Sequence, residues 1–207
     1  LVLLVRQNGR TISLQHIPSE EIRDELGEMI RISELITGKV CLIVEGQSDK
    51  AAFQVWMKTL GYDYKKLGIH IIPMDGCQNA EYYANAGILF DFRVPFILLL
   101  DRDSDKPRNS EQIKEYLENK HPILKKNNRI RILNGELENY FDLDAVSDVL
   151  RIPKEFIDLK EYRYDPKKAL KNAKEEAQKH GVPNVKLYDE TRDGRRIAEK
   201  MKKEDIL

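Results

Sequence analysis

From Lys39 onward the chain alternates short apolar runs, rich in β-branched residues, with stretches that have the period of an amphipathic helix. The apolar runs are VCLIV, IHIIP, PFILLL and RIRIL. The helical stretches are DKAAFQVWMKTL, NAEYYANAGILFDF, SEQIKEYLENK and LDAVSDVL. Parallel strands need a crossover connection, usually a helix, between one strand and the next. The alternation therefore predicts an α/β fold, in which a parallel central sheet is covered by helices on both faces.

The residues before Lys39 predict a hairpin followed by a helix. LVLLV and TISLQ flank Gly9, and a helical pattern runs from Ser19, a residue type common at helix N-caps, to Gly38. The chain opens at Leu1 with an apolar run that lacks the positively charged start of a signal peptide. We therefore expect a fragment of a longer protein.

After Pro153 the periodicity weakens and the chain becomes highly charged. We expect a helix over residues 165–180, a short strand near Val185 and a final helix from about Arg195. Lysine and arginine outnumber aspartate and glutamate over residues 160–203, although the net charge of the whole chain is +0. This basic segment either lies along a nucleic-acid backbone or is a solvated helix face.

The composition, 41% hydrophobic and 34% charged, is that of an ordinary soluble protein. No apolar run approaches the ~20 residues that a membrane-spanning helix needs, so we expect a cytoplasmic protein that does not contact a membrane. Cys41 and Cys77 have neither CxxC spacing nor a histidine-rich partner motif. We expect two buried thiols rather than a disulfide or a structural zinc site.

Acidic residues follow the first of the four predicted strands. In an open α/β sheet, ligands bind at the carboxyl ends of the strands. Glu45 directly follows VCLIV, Gly46 allows a tight turn, and Asp49 lies near the start of the next helix. Asp49 taken alone is typical of an N-cap, but its place beside Glu45 makes it a candidate ligand.

A second group of acids, Asp101, Asp103 and Asp105, follows PFILLL. Side chains at positions i and i+2 of an extended chain point to the same side, so Asp101 and Asp103 converge. Two close carboxylates stay ionised together only when cations or strong donors compensate their repulsion. Mg²⁺ or Mn²⁺ is the simplest compensation because these ions prefer carboxylate oxygen. We interpret Asp105 as the cap of the helix that starts near Ser110.

A third pair, Glu136 and Glu138, follows RIRIL with the same i, i+2 spacing. The remaining strand, IHIIP, is followed by Asp75 and Gly76, which are more typical of a turn than of a ligand site. Three of the four strands are thus predicted to deliver carboxylates to one edge of the sheet.

The strings LIVEGQSDKAAF and LLLDRDSD resemble the Toprim signature, in which a glutamate and the aspartates of a DxD motif form a magnesium site. GELENYF, together with the lead-in ELGEMIRISELITGKVCLIVEG, resembles more narrowly the overcoming-lysogenization-defect (OLD) family of ATP-dependent nucleases. The resemblance extends over roughly residues 20–150. It implies a Toprim fold and two bound Mg²⁺ or Mn²⁺ ions.

Residue by residue, the resemblance implies a set of metal-binding acids, in which Asp49 stands where many relatives have glutamate. The set is Glu45, Asp49, Asp101, Asp103, Glu136 and Glu138. The family also places a basic catalytic residue, usually lysine, near its C-terminus. In YDETRDGRRIAEKM the matching residue is Arg195 or Arg196, and Lys200 is the alternative. Arginine stabilises negative charge but does not readily donate a proton.

In the OLD family an ATPase domain precedes the Toprim domain, and no GxxxxGK[ST] loop occurs in this sequence. ATP is therefore expected to bind only in a missing N-terminal domain, through which the full-length protein could form a homodimer. We divide the chain into residues 1–38, the end of the preceding domain with a connecting helix, residues 39–152, the Toprim catalytic domain, and residues 153–207, a helical charged extension that completes the site.

The function predicted is metal-dependent hydrolysis of DNA phosphodiesters by a two-metal mechanism. RNA is the alternative substrate. Other readings are a primase or topoisomerase fragment, an RNA-maturation nuclease, and a domain that binds metal without catalysis. A phosphoacceptor receiver module also ends parallel strands in aspartates, but it needs a lysine at the end of a later strand, which this sequence lacks.

Overall fold

A computed structural model describes residues 3–7, 10–14, 39–85, 95–102 and 109–206. At the N-terminus, strands β1 (Leu3–Gln7) and β2 (Arg10–Leu14) pair antiparallel, which confirms the predicted hairpin. The predicted helix between Ser19 and Gly38 lies outside the described residues.

The central sheet contains the four predicted strands, with bounds close to those expected. They are β3 (Val40–Val44), β4 (Ile69–Pro73), β5 (Phe96–Leu100) and β6 (Ile130–Ile132). Their order across the sheet is β4-β3-β5-β6, and every neighbouring pair is parallel. The predicted parallel α/β fold is thus confirmed, and the carboxyl ends of β3, β5 and β6 lie along one edge.

Helices connect the strands as the sequence pattern predicted. In the described parts of the chain between β3 and residue 150 there are six helices: α1 (Gln47–Thr59), α2 (Tyr64–Leu67), α3 (Ala80–Asn85), α4 (Ser110–Lys120), α5 (Pro122–Lys126) and α6 (Leu143–Leu150). Asn109 caps α4 by accepting a hydrogen bond from the Gln112 amide at 3.0 Å. The cap expected at Asp105 lies outside the described residues.

One face of the sheet packs against α3, α4 and α5. Ile43, Leu98 and Ile130, from three neighbouring strands, are fully buried there with Leu117 of α4. Cys41 and Cys77 belong to the same core as free thiols, as expected. Burial of these apolar side chains holds the strand ends in fixed positions relative to one another.

The C-terminal residues form four helices: α7 (Leu159–Tyr164), α8 (Pro166–Lys179), α9 (Glu190–Lys200) and α10 (Lys203–Ile206). The strand expected near Val185 is not formed, because this segment has a single backbone hydrogen bond to the core, from the Lys186 amide to the Leu150 carbonyl at 2.8 Å. The final helix begins at Glu190 rather than near Arg195. Asp189 caps it by accepting from the Arg192 amide at 2.8 Å.

Helices α8 and α9 share a second core with α1 and α6. Leu170 and Ile197 are fully buried in it, near Trp56 and Phe141, whose rings meet edge to face with centroids 6.0 Å apart. The C-terminal helices are therefore docked beside the carboxyl edge of the sheet. None of the helices in the described ranges has both the length and the apolar composition of a membrane span.

Candidate metal centre

A polar cleft of about 270 Å³ lies at the carboxyl ends of β3, β5 and β6. The walls combine residues from these strand ends with residues from the starts of α1, α8 and α9. They are Glu45, Gly46, Ser48, Asp49, Asp101, Glu136, Leu137, Glu138, Lys167 and Glu190. The structure thus brings together five of the six acids predicted from the sequence, and the sixth, Asp103, lies outside the described residues.

The turn from β3 into α1 places Glu45 and Asp49 in the cleft. Asp49 is in the first turn of α1, and its Oδ2 accepts a hydrogen bond from the Gly46 amide at 2.5 Å. Asp49 is buried, and its pKa is raised to about 6 because burial desolvates the carboxylate and Glu45 repels it, more than the Gly46 hydrogen bond lowers it. The residue therefore holds the turn and also presents a carboxylate to the cleft.

Asp101 follows the central strand β5, next to the end of β3. The Asp101 amide donates to Oε2 of Glu45 at 3.4 Å, which joins the two strand ends, and the Asp101 carbonyl accepts from the Ser110 hydroxyl. The pKa of Asp101 is raised to about 8, first by burial and then by the negative charges of Asp49 and Glu45. Asp101 is consequently the acid of the cleft that would gain most from a bound cation.

Glu136 and Glu138 are held by a short 3₁₀ turn after β6, Leu137–Tyr140. The Glu136 amide donates to the Asn139 side chain at 2.8 Å, and a Cβ on Gly135 would collide with that same side chain. Only glycine therefore fits at position 135 without a shift of Asn139.

Two tyrosines fix Glu138. The Tyr188 hydroxyl donates to Oε1 of Glu138 at 2.8 Å, and the Tyr162 hydroxyl donates to the Glu138 carbonyl at 2.7 Å. The pKa of Glu138 is raised to about 7 because burial outweighs the favourable effects of Lys167 and the Tyr188 hydrogen bond. Glu138 is thus a buried, positioned carboxylate, and the tyrosines that position it carried no signal in the sequence.

Lys167 and Glu190 also line the cleft without having been predicted. The Lys167 ammonium lies 3.2 Å from Oε2 of Glu136 and 3.7 Å from Oε1 of Glu138, and it pairs with the Glu190 carboxylate. Burial alone would lower the pKa of Lys167, but Glu138 and the other two acids raise it above its ordinary value. Lys167 lies in the first turn of α8 and Glu190 in the first turn of α9. No sequence motif distinguishes either residue from the other charged residues of these helices.

The structure does not bring the predicted basic residues into the cleft. Arg195 is exposed and pairs with Glu199 at 2.8 Å, and Arg196 is exposed with its Nη1 3.9 Å from Asp193. Lys200, the alternative, lies 3.6 Å from Asp148. None of the three lines the acidic cleft, so their catalytic role stays a prediction without support from the geometry.

The donor set suits a hard divalent cation, because it consists of carboxylate oxygens. Oε2 of Glu136 is buried and makes no hydrogen bond to any described residue, although Lys167 is near it. Within the described ranges, no three histidine, cysteine, aspartate or glutamate side chains already stand close enough together to hold one ion. The acids therefore line one cleft, but their side chains would have to move closer together to bind a cation.

A parallel α/β sheet whose carboxyl edge collects acids from three strands is the arrangement of a Toprim domain. Residues 38–103 match the family model described as "Overcoming lysogenization defect protein-like, TOPRIM domain". Over these residues the chain is similar to an OLD-like Toprim domain, which is the resemblance that the sequence motifs predicted.

Solved structures support the same fold beyond the matched residues. The C-terminal region of the Burkholderia pseudomallei OLD protein is similar with a TM-score of 0.54 and 16% identity, over 81% of this chain and 90% of that one. The C-terminal region of the Xanthomonas campestris pv. campestris OLD protein is similar with a TM-score of 0.52 and 15% identity, over 83% and 88%. No curated protein matches the sequence.

Proposed function

We propose that this chain is the nuclease portion of an ATPase-Toprim protein and hydrolyses DNA phosphodiester bonds with the help of two divalent ions, Mg²⁺ or Mn²⁺. The observation that carries the proposal is the convergence of Glu45, Asp49, Asp101, Glu136 and Glu138 on one cleft. The structurally similar OLD regions and the family match support the same class of activity.

A phosphodiester is an anion, and the cleft without added cations would repel it. Six carboxylates and one lysine line the described part of the cleft. Burial raises the pKa values of Asp49, Asp101 and Glu138, and the charges of neighbouring acids raise them further. Cation binding is therefore the expected condition for substrate binding at this edge.

The acids fall into two groups according to the elements that carry them. Glu45, Asp49 and Asp101, with Asp103, would hold one ion, and Glu136 with Glu138 would hold another. Such ions supply activation of water and neutralisation of charge at phosphorus. These acids would hold the ions, and Tyr188 keeps the Glu138 carboxylate oriented.

We further propose that residues 39–152 form the catalytic domain and that residues 153–207 complete its site. The extension contributes Lys167, Tyr188 and Glu190 to the cleft or to its support.

The test is cleavage of supercoiled plasmid by this chain in Mg²⁺, Mn²⁺, Ca²⁺ or EDTA, with structured RNA as a parallel substrate. We expect nicking or linearisation of DNA that requires metal and is lost in Asp101→Ala and Glu45→Ala. Asp148→Ala, which removes an exposed acid outside the cleft, is the matched control and should cut normally.

Three outcomes would contradict the proposal. Intact DNA and RNA under every metal would favour a domain that binds metal without catalysis. Cleavage of RNA alone would change the substrate, and relaxation without nicking would indicate a topoisomerase-type reaction.

A further inference from the structure

The cleft has two halves, and they differ in how their negative charge is compensated. Glu136, Glu138 and Glu190 surround one ammonium, that of Lys167. Lys167 also acts on Asp49 of the other half, but its effect there is smaller than that of burial or of the neighbouring acids. The positive charge of this side chain therefore compensates mainly the half formed by the turn after β6 and the start of α9.

The ammonium lies among three carboxylates, which would have to move closer together to hold a divalent ion in its place. It contacts three acids from two segments of the chain: Glu136 and Glu138 from the turn after β6, and Glu190 from the start of α9. One positive charge among three negative ones leaves a net negative charge, and Oε2 of Glu136 stays buried without a hydrogen bond to the described residues. A divalent ion at this place would compensate these acids more completely than the lysine does.

Lys167 is held there by the acids rather than by its own helix. It lies in the first turn of α8, where the helix dipole disfavours a positive charge. Its side chain is 44% exposed and has a flexible four-carbon stem, so it can turn toward solvent without any change in the core. The Lys167 side chain can therefore move its ammonium out of this half of the cleft.

We propose that Lys167 occupies the second cation position of the cleft, bounded by Glu136, Glu138 and Glu190, and that a second divalent ion binds only by displacing it. This inference rests on the proposed function, because it concerns how the same site is loaded. It also adds Glu190, an acid of α9, to the groups that hold the second ion. The first ion, between Glu45, Asp49 and Asp101, would then bind tightly, and the second would bind weakly in competition with the lysine.

The test is a Mn²⁺ titration of the whole chain, followed by calorimetry and by the electron paramagnetic resonance of free Mn²⁺, without nucleic acid. We expect one tight and one weaker site in the wild type. Lys167→Met should strengthen the weaker site by about tenfold or more, because a repelling charge is removed at contact distance, and should change the tighter site much less, since the effect of Lys167 on Asp49 is small. Lys167→Arg, which keeps the charge, should retain the weak second site.

Lys168→Met is the matched control. Lys168 is the next residue, is 62% exposed, and pairs at 3.0 Å with Glu161 outside the cleft. Its removal should change neither site. A second readout is thermal unfolding: in EDTA the Lys167→Met variant should melt below the wild type, since three acids lose their partner, and Mn²⁺ should raise its melting temperature more than that of the wild type.

Two equal sites in the wild type, or a second site that Lys167→Met leaves unchanged, would overturn this inference while the nuclease proposal stood. An absence of Mn²⁺ binding in every variant would overturn both, because the proposed function also needs the ions. Loss of DNA cleavage with both Mn²⁺ sites intact would contradict the nuclease proposal alone.

Discussion

Asp101→Asn should stabilise the metal-free protein while it abolishes the response to metal. Asp101 is a largely buried carboxylate at the centre of the cleft, and Asp49 and Glu45 add negative charge around it. Asparagine has nearly the same shape but no charge, so the substitution removes electrostatic repulsion without creating a cavity. The same change removes a predicted ligand of the first ion.

The magnitude follows from the pKa of Asp101, about 8 in the folded chain against the ordinary value of 3.8. Because the folded pKa is the higher one, the folded state binds the proton more tightly, and stability falls as pH rises from about 3.8 to about 8. At pH 7 the folded group is still mostly protonated while the unfolded one is ionised, and this difference costs at most about 4 kcal/mol, taking 1.36 kcal/mol per pH unit. Partial exposure and relaxation of the neighbouring acids reduce this, and we expect a gain of about 2 kcal/mol for Asp101→Asn.

The assay is urea denaturation in EDTA at several pH values from 5 to 8.5. The variant should be more stable than the wild type at pH 8.5, and the difference should shrink toward pH 5, as the pH approaches the ordinary pKa of the unfolded group. Addition of Mn²⁺ should then raise the midpoint of the wild type and leave that of the variant almost unchanged. Asp148→Asn, at an exposed position, serves as the control.

A difference in stability that stays constant across this pH range would refute the reasoning, since the gain would then not come from removal of a titrating charge. A variant that is less stable than the wild type at every pH in EDTA would refute it as well. In that case the Asp101 carboxylate would be stabilising the fold through contacts of its own.

Three further predictions concern residues around the cleft. Tyr188→Phe removes the 2.8 Å hydrogen bond to Glu138 and should weaken Mn²⁺ binding by about tenfold, measured by calorimetry, with little change in folding cooperativity. Asp193→Asn should lower the free energy of unfolding by about 2 kcal/mol near pH 7, because buried Asp193 accepts two hydrogen bonds from Arg192. The pKa of Asp193 is lowered in the folded chain, so the difference in stability between variant and wild type should become smaller as pH falls. Arg195→Ala should leave plasmid cleavage and stability close to wild type, the latter within about 0.5 kcal/mol, and a large loss of cleavage would restore Arg195 as a catalytic residue.

Much of the fold could be predicted from the sequence because the signals are local. Each strand of the sheet is an apolar run long enough to be buried, and the segments between these runs have the periodicity of amphipathic helices. Once the strands are parallel, their carboxyl ends share one edge, so acids such as Glu45, Asp101 and Glu136 are brought together by topology alone. Knowledge of the exact strand order was not needed for that step.

The turn chemistry after each strand could be predicted only in part. Gly46 was expected to allow the turn before α1, and the structure shows that Asp49 holds it from within the helix. The 3₁₀ turn that carries Glu138 depends on the Asn139 side chain and on the glycine at position 135, which fits against it. These are contacts between residues that have no periodic pattern.

The sequence by itself determined the parallel sheet, its acidic edge and the resemblance to OLD-type Toprim domains, because these depend on periodicity and on short motifs. Only the tertiary structure decided which basic residue enters the cleft. Burial of Leu170 and Ile197 sets the rotation of α8 and α9 about their axes. That rotation directs Lys167 to the acids and leaves Arg195 exposed. A helix turns by about 100° per residue, so the direction of each charged side chain is set by which face of the helix is buried.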